Sequence, residues 1–216
     1  MSGSLIATQF NIGPRIASQV LGSLYVQYRP TDATNPISQD TQIATIPAWI
    51  TADAAGMGTR PFTYAKPVAF GMIDPDLAQV GDYLTGDFGT FFIASLDGLM
   101  PTQLVRCNKT ITISRPTAPA ASATFYGGAS VASLTPLMTA WPASVINGTK
   151  GERGEVGLPG DTRLSWAAVL LPFAGVEILP GDWITTTDSP TALNFTVSAC
   201  ELTALGWRIS AAGAVA

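Results

Sequence analysis

Histidine is absent from this 216-residue chain. That omission excludes a Ser-His-Asp triad, a histidine general base, and a zinc or haem held through imidazole. Charge is scarce too: Asp, Glu, Lys and Arg make up 12% of the residues, about half of the quarter usual in soluble domains. The balance is a net −4, an ordinary solubility charge. No cluster of lysine and arginine supplies the footprint of a nucleic-acid binder. Cysteine occurs twice, at Cys107 and Cys200, too few for a disulfide framework in a chain of this length. Each sits in an apolar, strand-like run and is expected to be a buried free thiol. Long hydrophobic runs are missing as well. The longest, Ala167 to Leu179, is broken by Pro172, Gly175 and Glu177 and is too short to span a bilayer. Met1 to Phe10 has neither a basic start nor a long apolar segment, so no signal peptide is expected. The chain is expected to be soluble or to join a soluble assembly, with no membrane contact.

Small and turn-forming residues fill the space that charge leaves. The chain has 30 Ala, 25 Thr, 21 Gly and 16 Pro, which argues against an all-helical bundle. One helix is expected near the start, over residues 9–24. Ile12, Ile16, Val20, Leu21 and Leu24 fall on one face of a 3.6-residue period, and Pro14 suits a first turn. Tyr25 to Pro30 reads as a strand, and Thr31 to Thr41 as a polar loop. Strands are expected from there on: Ile43–Ile50, Thr63–Ile73, Leu104–Arg106, Thr110–Arg115, part of Val131–Ile146, Trp166–Leu171, Gly181–Thr187, Asn194–Leu202 and Trp207–Ser210. Ile111 and Ile113 alternate with Thr110, Thr112 and Ser114, the period of a half-buried strand.

The segment Gly81-Asp82-Tyr83-Leu84-Thr85, the turn Gly86-Asp87-Phe88-Gly89 and the run Thr90 to Ser95 predict a hairpin. The pattern recurs as Gly181-Asp182-Trp183-Ile184-Thr185, followed by a polar stretch and Asn194-Phe195-Thr196-Val197-Ser198. The recurrence points to two related β units. The expected fold is therefore mainly β: an antiparallel barrel or sandwich core with a short N-terminal helix. Its expected limits are residues 1–30 for the helix and first strand, 31–116 for a first β unit, 117–130 for an Ala- and Pro-rich linker, and 131–216 for a second unit, with one continuous domain as the alternative. Gly81, Asp82, Gly181 and Asp182 are assigned to turns, and Phe92, Ile93, Trp183, Val197 and Trp207 to the packed core. On that assignment Trp183→Ala costs roughly 3–5 kcal/mol, and Asp182→Asn about 1 kcal/mol or less.

The remaining residues carry no catalytic or ligand motif. Asp74, Asp76, Asp82 and Asp87 do not have the spacing of an oxygen-ligand loop, and Asp53 and Glu201 stand alone. No Gly-x-Ser-x-Gly, P-loop or dinucleotide fingerprint is present. The five tryptophans are not interleaved with basic residues, as a single-strand stacking platform requires. No catalytic residue, metal ligand or cofactor is expected, and the chain reads as a non-enzyme.

The stretch Gly81 to Ser95, continuing with Leu99-Met100-Pro101, Val105-Arg106-Cys107-Asn108-Lys109 and Ile113-Ser114-Arg115-Pro116, resembles a segment of neck proteins of tailed bacteriophages. Leu158-Pro159-Gly160-Asp161, Trp166, Val169 to Pro172, Gly175-Val176, Pro180-Gly181-Asp182 and Glu201 to Arg208 look like the same family, as does a helix followed by Tyr28-Arg29-Pro30. The resemblance implies a non-enzymatic virion protein, a connector, collar or stopper between portal vertex and tail. It implies a six- or twelve-fold homo-oligomeric ring that contacts other neck, portal or tail proteins while DNA passes the lumen without specific binding. A ring uses heterologous contacts, and edge strands are one means of pairing across subunits. The alternative is a β-rich trimeric tail, decoration or receptor-binding protein.

One segment departs from the family pattern. Gly148, Gly151, Gly154, Gly157 and Gly160 recur every third residue, the register of collagen. With a single proline and so few triplets, a Gly-rich surface loop over 147–161 is expected instead. Limited proteolysis of the free subunit is expected to cut first near Lys150 or Arg153. First cleavage within 81–115 would overturn that assignment.

Overall fold

The computed structural model describes residues 3–52, 67–97, 100–116, 134–147, 166–173, 175–187 and 192–213, with the side chains of the helix from residue 11 onward. Of the expected Gly-rich loop over 147–161 only Asn147 is described, as the last residue of a strand, and the expected linker over 117–130 lies outside these residues. The fold is mainly β, as expected, with one helix, α1 (Gly3–Leu21). Twelve strands follow. Six of them are β1 (Ser23–Tyr28), β2 (Gln42–Thr51), β3 (Val68–Ile73), β4 (Tyr83–Gly86), β5 (Gly89–Ser95) and β6 (Thr102–Cys107). The other six are β7 (Lys109–Pro116), β8 (Leu134–Asn147), β9 (Trp166–Leu171), β10 (Trp183–Thr186), β11 (Asn194–Thr203) and β12 (Gly206–Gly213).

The strands close into two antiparallel barrels, ordered β1-β2-β3-β6-β5-β4 and β7-β8-β9-β12-β11-β10. In each, three consecutive strands pair in turn and the fourth returns to lie beside the first, a Greek key. The duplication extends to single residues. One row of paired residues runs Tyr28, Tyr83, Phe92, Val105 through the first barrel. The matching row in the second is Ser114, Trp183, Thr196, Ala212. The register breaks in equivalent places, between Ile93 and Ser95 and between Val197 and Ala199, and again between Gln27 and Tyr28 and between Ile113 and Ser114. Bulges of this kind bend a strand and help a small sheet to close.

Alternation fills the barrels. Tyr25, Ile46, Leu84, Phe91, Ile93 and Leu104 point into the first, and the rings of Tyr25 and Phe91 meet edge to face at 6.3 Å. Ile111, Ile113, Ile184, Phe195, Val197 and Ile209 occupy the core of the second. The opposite side chains of the first barrel, Tyr83, Phe92, Ala94 and Val105, join the second barrel's core cluster. One face of the first barrel is therefore covered by the second. The Tyr83 hydroxyl donates to the Pro142 carbonyl at 2.8 Å, and its ring meets Trp141 edge on.

The boundary between the units differs from the expected one. It is the single residue Asn108, between β6 and β7, and β7 belongs to the second barrel because its partners are β8 and β10. The Ala- and Pro-rich stretch after residue 116 thus falls inside the second unit, and β1 belongs to the first barrel rather than to a separate N-terminal piece. Asn108 holds the joint. Its backbone amide donates to the Ala143 carbonyl, and its side chain both donates to and accepts from the backbone of Val145 at 2.8 Å. Composition marked the more Pro-rich stretch, but a boundary is set by strand pairing.

The helix also differs. It begins well before Pro14, which lies inside it, and ends at Leu21, so Leu24 belongs to β1. Its apolar stripe does not face the core. Ile12, Ile16 and Val20 are 48%, 54% and 74% exposed, while Ser18 is fully buried. The barrel side carries Pro14, Ala17 and Ser18, small enough for the helix to lie close on β2 and β3. Gly22 makes the exit possible, since a side chain there would run into the backbone of Ala48 at 2.8 Å.

These placements set the energetics of the aromatics. Phe91 is fully buried inside a barrel, so Phe91→Ala is expected to cost about 3–5 kcal/mol in urea unfolding. Trp183 lies on the outer row of the second barrel and is only partly buried, so Trp183→Ala is expected to cost less, about 1–2 kcal/mol. Equal losses at the two positions would contradict this inside–outside assignment.

Candidate functional site

Each Gly-Asp turn stands directly before the fourth strand of its barrel. Gly81 and Gly181 both have φ of +94°, a left-handed conformation that favours glycine. The Gly81 amide donates to the Ile93 carbonyl, and the Ile93 amide to the Asp82 carbonyl. Gly181, Val197 and Asp182 repeat the arrangement. The two carboxylates accept backbone amides as the turn assignment expected: Gln79 N–H to Asp82 Oδ2 and Leu179 N–H to Asp182 Oδ2, each at 2.8 Å.

Each carboxylate also meets an arginine. Arg29 donates through Nε and Nη2 to the two oxygens of Asp82, both at 2.8 Å. Arg115 does the same to Asp182, at 2.9 and 3.0 Å. The bidentate pairing fixes orientation as well as charge. The carboxylates are buried, with side chains 1% and 2% exposed, while their arginines are 35% and 36% exposed. Hydrogen bonding to the carboxylate is the main cause that raises both guanidinium pKa values, so both stay cationic wherever the protein is folded. Arg29 follows β1 and Asp82 precedes β4, so the clamp sits at the end of the β1–β4 seam. Arg115 and Asp182 occupy the same place on the β7–β10 seam.

The clamps differ in one position. Gln27 stands where the second barrel has Ile113, and its amide donates to the Leu77 carbonyl and to Asp82 Oδ2. In the second barrel Arg115 Nη2 reaches the corresponding carbonyl, that of Glu177. Gln27 Oε1 is left buried without a partner. The crevice beside the first clamp, about 260 Å³, is lined by Arg29 and Asp82, which already bond each other, and by Trp141 and Phe173.

The expected core residues separate. Phe92, Ile93, Val197 and Trp207 are buried, and Trp183 is the exception described above. The Trp207 indole N–H has no partner. The two thiols are free and half-buried, where full burial was expected. Burial pushes Cys107 well up, while Cys200, raised chiefly by burial, lies 3.1 Å from the Ile178 carbonyl. Among the described residues no group of three or more cysteine, aspartate or glutamate side chains is placed to hold a metal. No helix there is long and apolar enough to cross a membrane.

Sequence reasoning found the aspartates and missed the arginines. The signal was present, because Arg29-Pro30 and Arg115-Pro116 recur as the Gly-Asp pairs do, but no local pattern links an arginine to a carboxylate so far along the chain. The arrangement ties the first and fourth strands of each barrel, with both carboxylates taken up by an arginine and a backbone amide. Away from the clamps, the described surface includes the apolar side of α1 and the partly buried outer row of the second barrel. No family model matches the chain, and neither a curated protein nor a solved structure matches it.

The clamp changes what substitution at Asp182 should do. Asn keeps one acceptor but turns an N–H₂ group toward the guanidinium, so Asp182→Asn is expected to cost about 1–3 kcal/mol rather than less than one. Arg115→Met strands the buried carboxylate and is expected to cost roughly 2–4 kcal/mol, the range for an orphaned buried charge reduced for the arginine's exposure. Urea unfolding of both variants is the measurement. A loss under about 1 kcal/mol for Arg115→Met would show that the carboxylate is satisfied without its partner.

Proposed function

We propose that this protein is a structural subunit of a tailed-bacteriophage virion that assembles into a ring in the head–tail neck. The observation that carries the assembly part of this reading is the uncovered side of α1, where Ile12, Ile16 and Val20 face outward beside Leu21 and Leu24. An apolar stripe of this kind marks a contact surface. The two clamped barrels give a compact body that can present such a surface without rearranging. The neck assignment itself rests on the resemblance carried by Gly81 to Pro116 and by the C-terminal half. Closure of both barrels also changes how subunits would meet: contact falls to faces and to the helix, not to paired strand edges.

Negative-stain images and native mass of the purified full chain at high concentration test the reading. A six- or twelve-fold ring is the expected result. A trimer would favour the tail, decoration or receptor-binding alternative, and a monomer at every concentration would overturn both.

A further inference from the structure

We infer that copies of this chain join head to tail, with the outer face of the second barrel seated against the apolar side of α1 in the next copy. This rests on the ring reading above and names the surfaces through which the ring would close. The argument is the internal duplication. The outer row of the first barrel, Tyr83, Phe92 and Val105 with Ala94, is buried against the second barrel. The equivalent row of the second barrel is Trp183, Thr196 and Ala212, with Ser198 in the place of Ala94. None of these four is fully buried and Ser198 is exposed. The same surface is thus fully covered in one barrel and only partly covered in the other, where Ser198 is exposed.

The receiving surface follows from the same equivalence. In the second barrel, the element leading into β7 is β6, the last strand of the preceding barrel, and it packs on β8. In the first barrel, the element leading into β1 is α1, and it packs on β2. The helix therefore stands where a preceding barrel would stand. A second copy stacking its second barrel on the outer side of that helix would follow the direction in which the two barrels already stack within one chain. The chemistry agrees. Thr196, Ser198, Ser210 and Ala212 are small and uncharged, so an apolar helix can lie close over them, with Trp183 as the large anchor. The two surfaces are different, so the contact is heterologous, and its rotation closes a ring or leaves an open filament.

Sedimentation velocity of the full chain over a concentration series tests the contact, using Ile16→Asp on the helix and Ser198→Arg on the barrel. Both positions are exposed, so both variants are expected to melt at the parent's temperature; Thr196→Arg replaces Ser198→Arg if that variant does not. Each variant alone is expected to remain monomeric, with association weakened about thirty-fold or more. An equimolar mixture is expected to form a dimer that grows no further, because only one intact helix and one intact barrel face remain. Variants that assemble like the parent, or a mixture that stays monomeric, would overturn the contact. A ring that persists in both variants would remove this contact and leave the ring reading standing, whereas a monomeric parent would remove both.

Discussion

A carboxylate buried at the seam of each barrel is the constraint on which the structure depends. In a Greek-key barrel the pairing of the first and fourth strands is the non-sequential step, and it must be made across a long loop. Here the seam is short, with three paired positions between β1 and β4 and four between β7 and β10. Asp82 and Asp182 tie the entry of the fourth strand to the exit of the first, through arginine on one side and a backbone amide on the other. A carboxylate deprived of water is costly unless fully satisfied. The native seam geometry satisfies it, which makes the clamp a selector of register as well as a contact.

The same unit used twice has acquired different surroundings. The first barrel's outer row is aromatic and aliphatic because it is buried against the second. The second barrel's row, Trp183 apart, has smaller side chains and is only partly buried. Gln27 and Ile113 occupy one equivalent position, yet only Gln27 joins a clamp, where it takes over a backbone carbonyl that Arg115 reaches in the other barrel. The two barrels share backbone pairing and bulges and differ in the side chains that meet different neighbours. This is the expected order of constraint, because a bulge or register change moves a whole strand and a side-chain change does not.

The β class, most strand positions and both Gly-Asp turns were legible along the chain. Period-two alternation in β7 and the turn residues between β4 and β5 are local, and local physics decides them. The candidate site was half legible. The aspartates belong to a turn signature; their arginines are met only after the chain has closed. The role of Trp183 was misread for a related reason, since its strand alternates as a core strand does, and alternation does not say which side lies inside the barrel.

The sequence by itself determined that this chain is β-rich, that it carries two related hairpins, and that it has no histidine chemistry. Tertiary structure alone decided the joint at Asn108, the pairing of each buried carboxylate, and the direction in which the helix turns its apolar residues. The physical reason is the same in each case. Periodicity reports a contrast between two sides of a segment, and only packing decides which side meets the rest of the protein. For α1, close approach to β2 and β3 was achieved through Pro14, Ala17 and Ser18, and the larger Ile12, Ile16 and Val20 were left outside.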